Sequence, residues 1–335
     1  MIFGLRLLGG YLGDTRRLVE LGVLAEKVGF DFCWFAHDPF MRSSWVTATA
    51  IATLTTKIRL GLNFKPYTID PSEIIMLAAT LDEYSGGRCV IGLGTHSDLM
   101  FKWLGLGGRG IIPLIRENVH LIRQALSGAV CDFEGQEFKW DSNCYLRFKP
   151  LRNKIPIYIS GFGKDLLKLS GEIGDGSLPM LTPPESVEYV LEHIRAGIKK
   201  SKRKIEDFDI VGLIWLSLST DGQVAEDQLK SIIAHFGPYL DAEALKYIGL
   251  SVEDFEPIKA RLAQRDVEGA KRLVDNRMLR LAVIGKPDEC LEKFCELEKK
   301  GITHLSIRGP LGPDPEEAIR LIGEKIIPYF REKRE

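Results

Sequence analysis

Residues 57–94 read KIRLGLNFKPYTIDPSEIIMLAATLDEYSGGRCVIGLG and contain the repeating unit of the fold. Lys57 to Phe64 is a short, nearly all-apolar run, the pattern of a strand covered on both faces. Ser72 to Tyr84 carries apolar residues at helical spacing and stops at Gly86-Gly87. Arg88 to Gly94 repeats the apolar strand pattern. A strand, a helix and a second strand in so few residues form a crossover unit joining two parallel strands.

The same alternation extends both ways. Towards the N-terminus, Phe3 to Leu8 reads as a strand, Thr15 to Val28 as a helix stopped by Gly29, DFCWF (31–35) as the second strand and Trp45 to Leu54 as a short helix. Beyond Gly94, a helix covers about Pro113 to Leu126, and residues 130–148 read as a surface hairpin around Asp132-Phe133-Glu134-Gly135. Further strands fall at Pro156 to Ser160, Gly176 to Leu181, Asp209 to Ser219 and His304 to Gly309, with helices at Lys164 to Ile173, Pro184 to Lys200 and Pro315 to Phe330. Eight such units predict an α/β fold, a closed (β/α)8 TIM barrel with insertions. An open doubly wound sheet is the runner-up, and no GxGxxG follows the first strand to favour it. Residues 224–281 are too long for one crossover and read as a late helical insertion. With no repeat or linker, 1–335 is expected to be a single domain.

The net charge of −1 and a charged fraction of 27% give no electrostatic reason to expect a nucleic-acid or membrane partner. No apolar run approaches the roughly 18 residues of a membrane span, and the N-terminus opens in a strand-like run rather than a signal peptide, so a cytoplasmic protein is expected. The six cysteines form no CxxC pair and read as reduced thiols.

A barrel of this kind places its chemistry at the carboxyl ends of the strands. The second strand ends in His37-Asp38-Pro39, a titratable pair locked by proline; an imidazole there suits proton handling or ligand hydrogen bonding. The bland alternative makes Asp38 a helix cap and His37 a loop residue. The fifth strand runs into Ser160-Gly161-Phe162-Gly163-Lys164, where glycines, a helix start and a lysine suit a phosphate, against the alternative of a plain turn. Gly94-Thr95-His96 after the fourth strand has similar logic, Met180 lies near the end of the sixth, and Asn63-Phe64 closes the third. No HxxxH or HExxH supports a metal site, and no GxSxG nucleophile elbow is present. His304 opens the last strand at the opposite, stability-conferring end.

Several segments together resemble the bacterial-luciferase-like superfamily: AEKVGFDFCWFAHDPF, ATAIATLTTKIRLG, LDEYSGGR with IGLGT, and GPLGPDPEEAIRLIGEKIIPYF. The resemblance covers nearly the whole chain. It is closest to the branch using the deazaflavin coenzyme F420, notably methylene-tetrahydromethanopterin reductase. It implies a barrel with the cofactor in its mouth, a homodimer or larger oligomer, and a small-molecule substrate. It also implies a non-proline cis peptide at Asn63-Phe64 or one residue earlier. Contacts to the ring edge and phosphate tail carry over to His37, Asp38, Gly94, Thr95 and residues 160–164. One position departs: the reductases resemble FGIEF in the first strand, with an acidic residue tied to catalysis, whereas this chain has FGLRL. Arg6 suits pairing with an anionic substrate rather than proton donation.

The expected activity is therefore F420-dependent hydride transfer to a pterin-like or other small acceptor, with His37, Asp38 and Arg6 at the chemistry. An FMN-dependent monooxygenase of the same superfamily is the alternative enzyme. A non-catalytic flavin- or deazaflavin-binding protein is the alternative outside catalysis.

Overall fold

The structure, a computed structural model, describes residues 1–9, 12–95, 104–106, 110–179, 181–240 and 242–333. Its strands are β1 (Ile2–Leu7), β2 (Phe32–Ala36), β3 (Arg59–Phe64), β4 (Cys89–Gly94), β5 (Phe133–Glu134), β6 (Lys139–Trp140), β7 (Ile157–Ser160), β8 (Gly176–Leu178), β9 (Asp209–Leu218), β10 (Ala282–Gly285) and β11 (His304–Leu311). Among the described residues eight of these close a parallel ring in the order β1, β2, β3, β4, β7, β8, β9, β11 and back to β1. The (β/α)8 barrel expected from the alternation is present. β5 and β6 pair antiparallel as the expected side hairpin.

The crossover helices start and stop where local chemistry requires. In Pro71–Ser85 the Asp70 side chain accepts from the Ser72 N–H, Pro71 sits where no N–H is needed, and Gly86 closes the helix in the left-handed region at φ 69°. The C-terminal helix contains a π turn at Ile322–Ile326, just before Pro328. Proline supplies no N–H to the helical ladder, and the wider turn accommodates that loss.

Two expectations are adjusted here. The late helical insertion at 224–281 is present, but as several short helices rather than an unbroken stretch. Helices Gly222–Phe236, Ala242–Lys246, Glu256–Ala263, Val267–Arg272 and Asn276–Leu279 alternate with tight turns and build a satellite core around Leu229, Ile233, Phe255 and Trp215. The segment then ends in β10, a strand the sequence reading missed. β10 pairs with the upper half of β9, from Ala282 against Trp215 to Gly285 against Leu218. β8 is too short to reach that height, pairing with β9 only at Asp209 and Ile210. The second correction concerns Asn63-Phe64: no peptide bond among the described residues is cis. β3 stays in register with β4 through Phe64, opposite Leu93, as a regular parallel strand with trans peptides.

The lower barrel is packed solid. Trp34 is fully buried, stacked on Phe32 at 5.4 Å and edge-on to Tyr158. Its indole N–H donates to His304 Nε2 at 3.3 Å. That leaves the imidazole proton on Nδ1, which donates to Asp209 Oδ2 at 2.9 Å. Tyr158 OH also donates to Oδ2, and Thr303 Oγ1 donates to Oδ1. His304 thus belongs to the floor, as its place at the start of its strand implied.

Candidate functional site

Above this floor the barrel interior turns polar. Arg6 of β1, Asn63 of β3 and Ser160 of β7 point inward from strands that are not neighbours, and small residues let them meet. Ala36 occupies the inward position on β2 between Arg6 and Asn63. On β4, a Cβ added to Gly92 would lie 2.9 Å from the Asn63 backbone, and one on Gly94 would lie 2.7 Å from Ser160 Cβ. Any larger residue at Gly92 or Gly94 would fill the passage that Asn63 uses to reach Ser160.

Asn63 is fully buried and acts as the hub. Its amide oxygen faces three donors: Arg6 Nη2 at 3.3 Å, Lys65 Nζ at 3.2 Å and Ser160 Oγ at 3.1 Å. These donors fix which end of the amide is oxygen. Lys65, almost entirely buried, also pairs with Asp38 Oδ1 at 3.6 Å. His37 is held by its backbone N–H on Asn63 O at 3.0 Å and by a 2.8 Å contact between Nδ1 and Ser44 Oγ. Arg308 of β11 lies in register with Arg6 and is stacked over Trp215 and Phe236.

Two like-charged cations and a buried imidazole cannot share this space without cost. Burial, reinforced by Arg308, lowers the Arg6 guanidinium to about 10, with Asp38 pulling the other way. Burial also lowers the Lys65 ammonium, which Asp38 opposes and Arg6 reinforces. His37 is held below the ordinary 6.5 by burial first and by Lys65 second, so it is neutral at pH 7.

The expected site residues divide as follows. His37, Asp38, Arg6, Asn63 and Ser160 converge at the barrel mouth. Asp38 does not cap the next helix; Ser43 does, accepting from Val46 N–H, so the bland alternative for Asp38 is not the one the fold uses. Phe64 turns outward and stacks on Trp45 at 4.8 Å, leaving only its backbone near the mouth. Gly94 and Thr95 line the end of β4. Gly161 and Phe162 are buried, Phe162 against Tyr189. Gly163 starts helix Lys164–Ile173 with no side chain capping it, and Lys164 is exposed. A cavity of about 490 Å³ opens there, lined by Gly163, Lys164, Asp165 and Tyr189 together with Ile111 and Ile112 of another uncapped helix start. His96 and Met180 lie outside the described residues, as do Gly10, Tyr11, Ser97 and Asp98. Lys65 directly follows β3 and Arg308 lies within β11; a cation at the carboxyl end of an apolar strand is the signal that marks them. Trp34 and Ser44 gave no such signal.

Residues 4–304 match the family model of the luciferase-like monooxygenases. This chain belongs to that family. Among its luciferase-like relatives, the 5,10-methylenetetrahydromethanopterin reductase of Archaeoglobus fulgidus is 32% identical over 92% of this chain and 94% of its own length. The F420-dependent glucose-6-phosphate dehydrogenase of Nakamurella multipartita is 27% identical over 94% of this chain and 92% of its own. The solved structure of the coenzyme F420-dependent tetrahydromethanopterin reductase from Methanopyrus kandleri superposes with a TM-score of 0.92 at 30% identity, covering 98% of this chain and 99% of that one. The luciferase-like barrel is therefore shared along the whole chain, and the polar mouth described above sits at its carboxyl rim.

Proposed function

We propose that this chain is an F420-dependent oxidoreductase passing a hydride between the deazaflavin and a small acceptor, pterin-like or otherwise. The observation that carries this reading is the near full-length similarity to F420-dependent reductases, in identity and in backbone. The residues of the mouth fit such a group. Among the described residues the buried Arg6 Nη1 has no hydrogen-bond partner. A polar-edged heterocycle satisfies groups of this kind. The uncapped helix start at Gly163, with Lys164 beside it, suits the phosphate of a tail; Asp165 and Glu243 also line that cavity.

Bound in the mouth, the deazaflavin supplies two-electron hydride chemistry. The chain supplies the rest. Ser160 and Asn63 present a rigid, prepaired polar wall. Trp34 and the packed floor beneath it exclude water from below. In the tautomer where Ser44 donates to Nδ1, neutral His37 carries its proton on Nε2 and offers it as a hydrogen bond to a ligand carbonyl. Asp38, tied to Lys65, balances charge beside it.

An oxygen electrode and an F420 assay together test the reading. Reduced F420 is expected to be oxidised in an acceptor-dependent manner without oxygen uptake. Steady oxygen consumption with reduced FMN, and no turnover with reduced F420, would place the chain with the monooxygenases instead.

A further inference from the structure

One edge of the His37 imidazole is already committed to the fold. Its Nδ1 lies 2.8 Å from Ser44 Oγ; among the described residues Nε2 has no hydrogen-bond partner and the Ser44 hydroxyl has no other. Which group donates at that contact decides which nitrogen carries the proton. Ser44 is 3% exposed. If it accepted from an Nδ1–H, its own O–H would be buried without an acceptor, which costs more than an average hydrogen bond returns. If it donates to Nδ1, both groups are satisfied and the proton sits on Nε2.

Neither partner is loose. Ser44 is the first residue of helix Ser44–Leu54, whose start is fixed by Ser43 accepting from the Val46 N–H. The loop before it is tied across to the end of β1, where Arg42 Nη1 donates to Gly9 O at 2.6 Å. The imidazole lies against the Phe64 ring at 5.5 Å and edge-on to Trp45 at 6.3 Å, and those two rings stack on each other. A half-turn of the imidazole in that slot would bring a carbon to Ser44 and lose the bond. The His37 backbone N–H is bonded to Asn63 O, which holds the residue to the strand that carries the polar hub.

We infer that Ser44 is a positioning residue: it fixes His37 as an Nε2–H donor, and the ligand atom that meets this donor is an oxygen on the polar edge of the bound heterocycle. In this tautomer the Nδ1 lone pair is taken by Ser44 and Nε2 is protonated. His37 therefore has no lone pair left to take a proton from a ligand, and it acts as a neutral donor rather than a base. The inference rests on the F420 reading, which supplies the heterocycle.

Proton–nitrogen NMR of the imidazoles at neutral pH, with fluorescence titration of F420, tests it on wild type, Ser44→Ala, His37→Ala and the double variant. Alanine suits a helical position, so Ser44→Ala removes the hydroxyl and little else. In ligand-free wild type the His37 signal, the one absent from His37→Ala, is expected to show its proton on Nε2 and a hydrogen-bonded Nδ1. In Ser44→Ala the Nδ1 resonance is expected to move to that of an unbonded nitrogen. F420 is expected to bind about fivefold more weakly in Ser44→Ala and about tenfold more weakly in His37→Ala, the scale of one hydrogen bond. The double variant is expected to bind no more weakly than His37→Ala, because Ser44 acts through that ring. A proton on Nδ1 in wild type, an unchanged Nδ1 resonance in Ser44→Ala, F420 affinity that neither substitution alters, or additive losses in the double variant would overturn the assignment. A wild-type protein with the expected NMR signature that ignores F420 would sink the cofactor reading and leave the lock on His37 standing.

Discussion

Replacing Asp209 by alanine is expected to lower the unfolding free energy by about 3 kcal/mol, the lower end of the cost of removing one partner from a buried pair. The Asp209 carboxylate ends the chain of hydrogen bonds that runs from Trp34 through His304 and also collects Tyr158 and Thr303. Without it, a fully buried imidazole and a nearly buried phenol lose their acceptor. Burial pushes the Asp209 carboxyl up, but His304 and the hydrogen bonds from Tyr158 and Thr303 outweigh that and hold it below 3.8. A depressed carboxyl stabilises the fold fully above the unfolded value of 3.8, and the contribution fades as pH falls through the lower folded value. Urea unfolding at pH 7 and at pH 3 measures both effects. A loss under about 1 kcal/mol at pH 7, the scale of an exposed pair, would show that the floor network is not a stability device.

His37→Ala is expected to cut turnover by about a hundredfold, the lower range for removing a positioned acid–base or hydrogen-bonding group. The fold should tolerate the change, because His37 is half-buried at the rim and its backbone bond to Asn63 survives. The pH profile distinguishes chemistry from packing. Burial and Lys65 hold His37 below 6.5, so the active neutral form persists through neutrality and is lost only at lower pH. In His37→Gln that acid limb should disappear. The same shift has a stability consequence of defined sign: below about pH 6.5 the unfolded chain takes up the proton first, so His37 draws stability away as pH falls. Steady-state kinetics from pH 5 to 8 on wild type and both variants checks this. Unchanged turnover in His37→Ala removes the residue from the mechanism.

Much of this arrangement could be read from the sequence, and the exceptions have physical reasons. Strand ends in a barrel mark its carboxyl rim, so the rim positions of His37, Asp38, Asn63 and Ser160 follow from local pattern alone. The meeting of Asn63 with Arg6 and Ser160 does not, because it depends on Ala36, Gly92 and Gly94 clearing the space across intervening strands. Periodicity shows which face a residue takes and says nothing of what it meets across the ring. Lys65 and Arg308 escaped for the same reason. β10 was missed because Ala282–Gly285 is four residues long and follows a polar helical stretch. The breaks in the insertion had signals in Pro238, Gly249 and Pro257, which the apolar spacing on either side concealed. The expected cis peptide came from the resemblance rather than from these residues, and no described peptide bond is cis.

The reading as a whole comes down to which redox heterocycle the barrel mouth prefers. Equilibrium titration of the purified protein with F420 and with FMN, followed by fluorescence, tests this directly. F420 is expected to bind at least about tenfold more tightly than FMN, a difference of about 1.4 kcal/mol. Equal or tighter binding of FMN, or no binding of F420, would contradict the assignment.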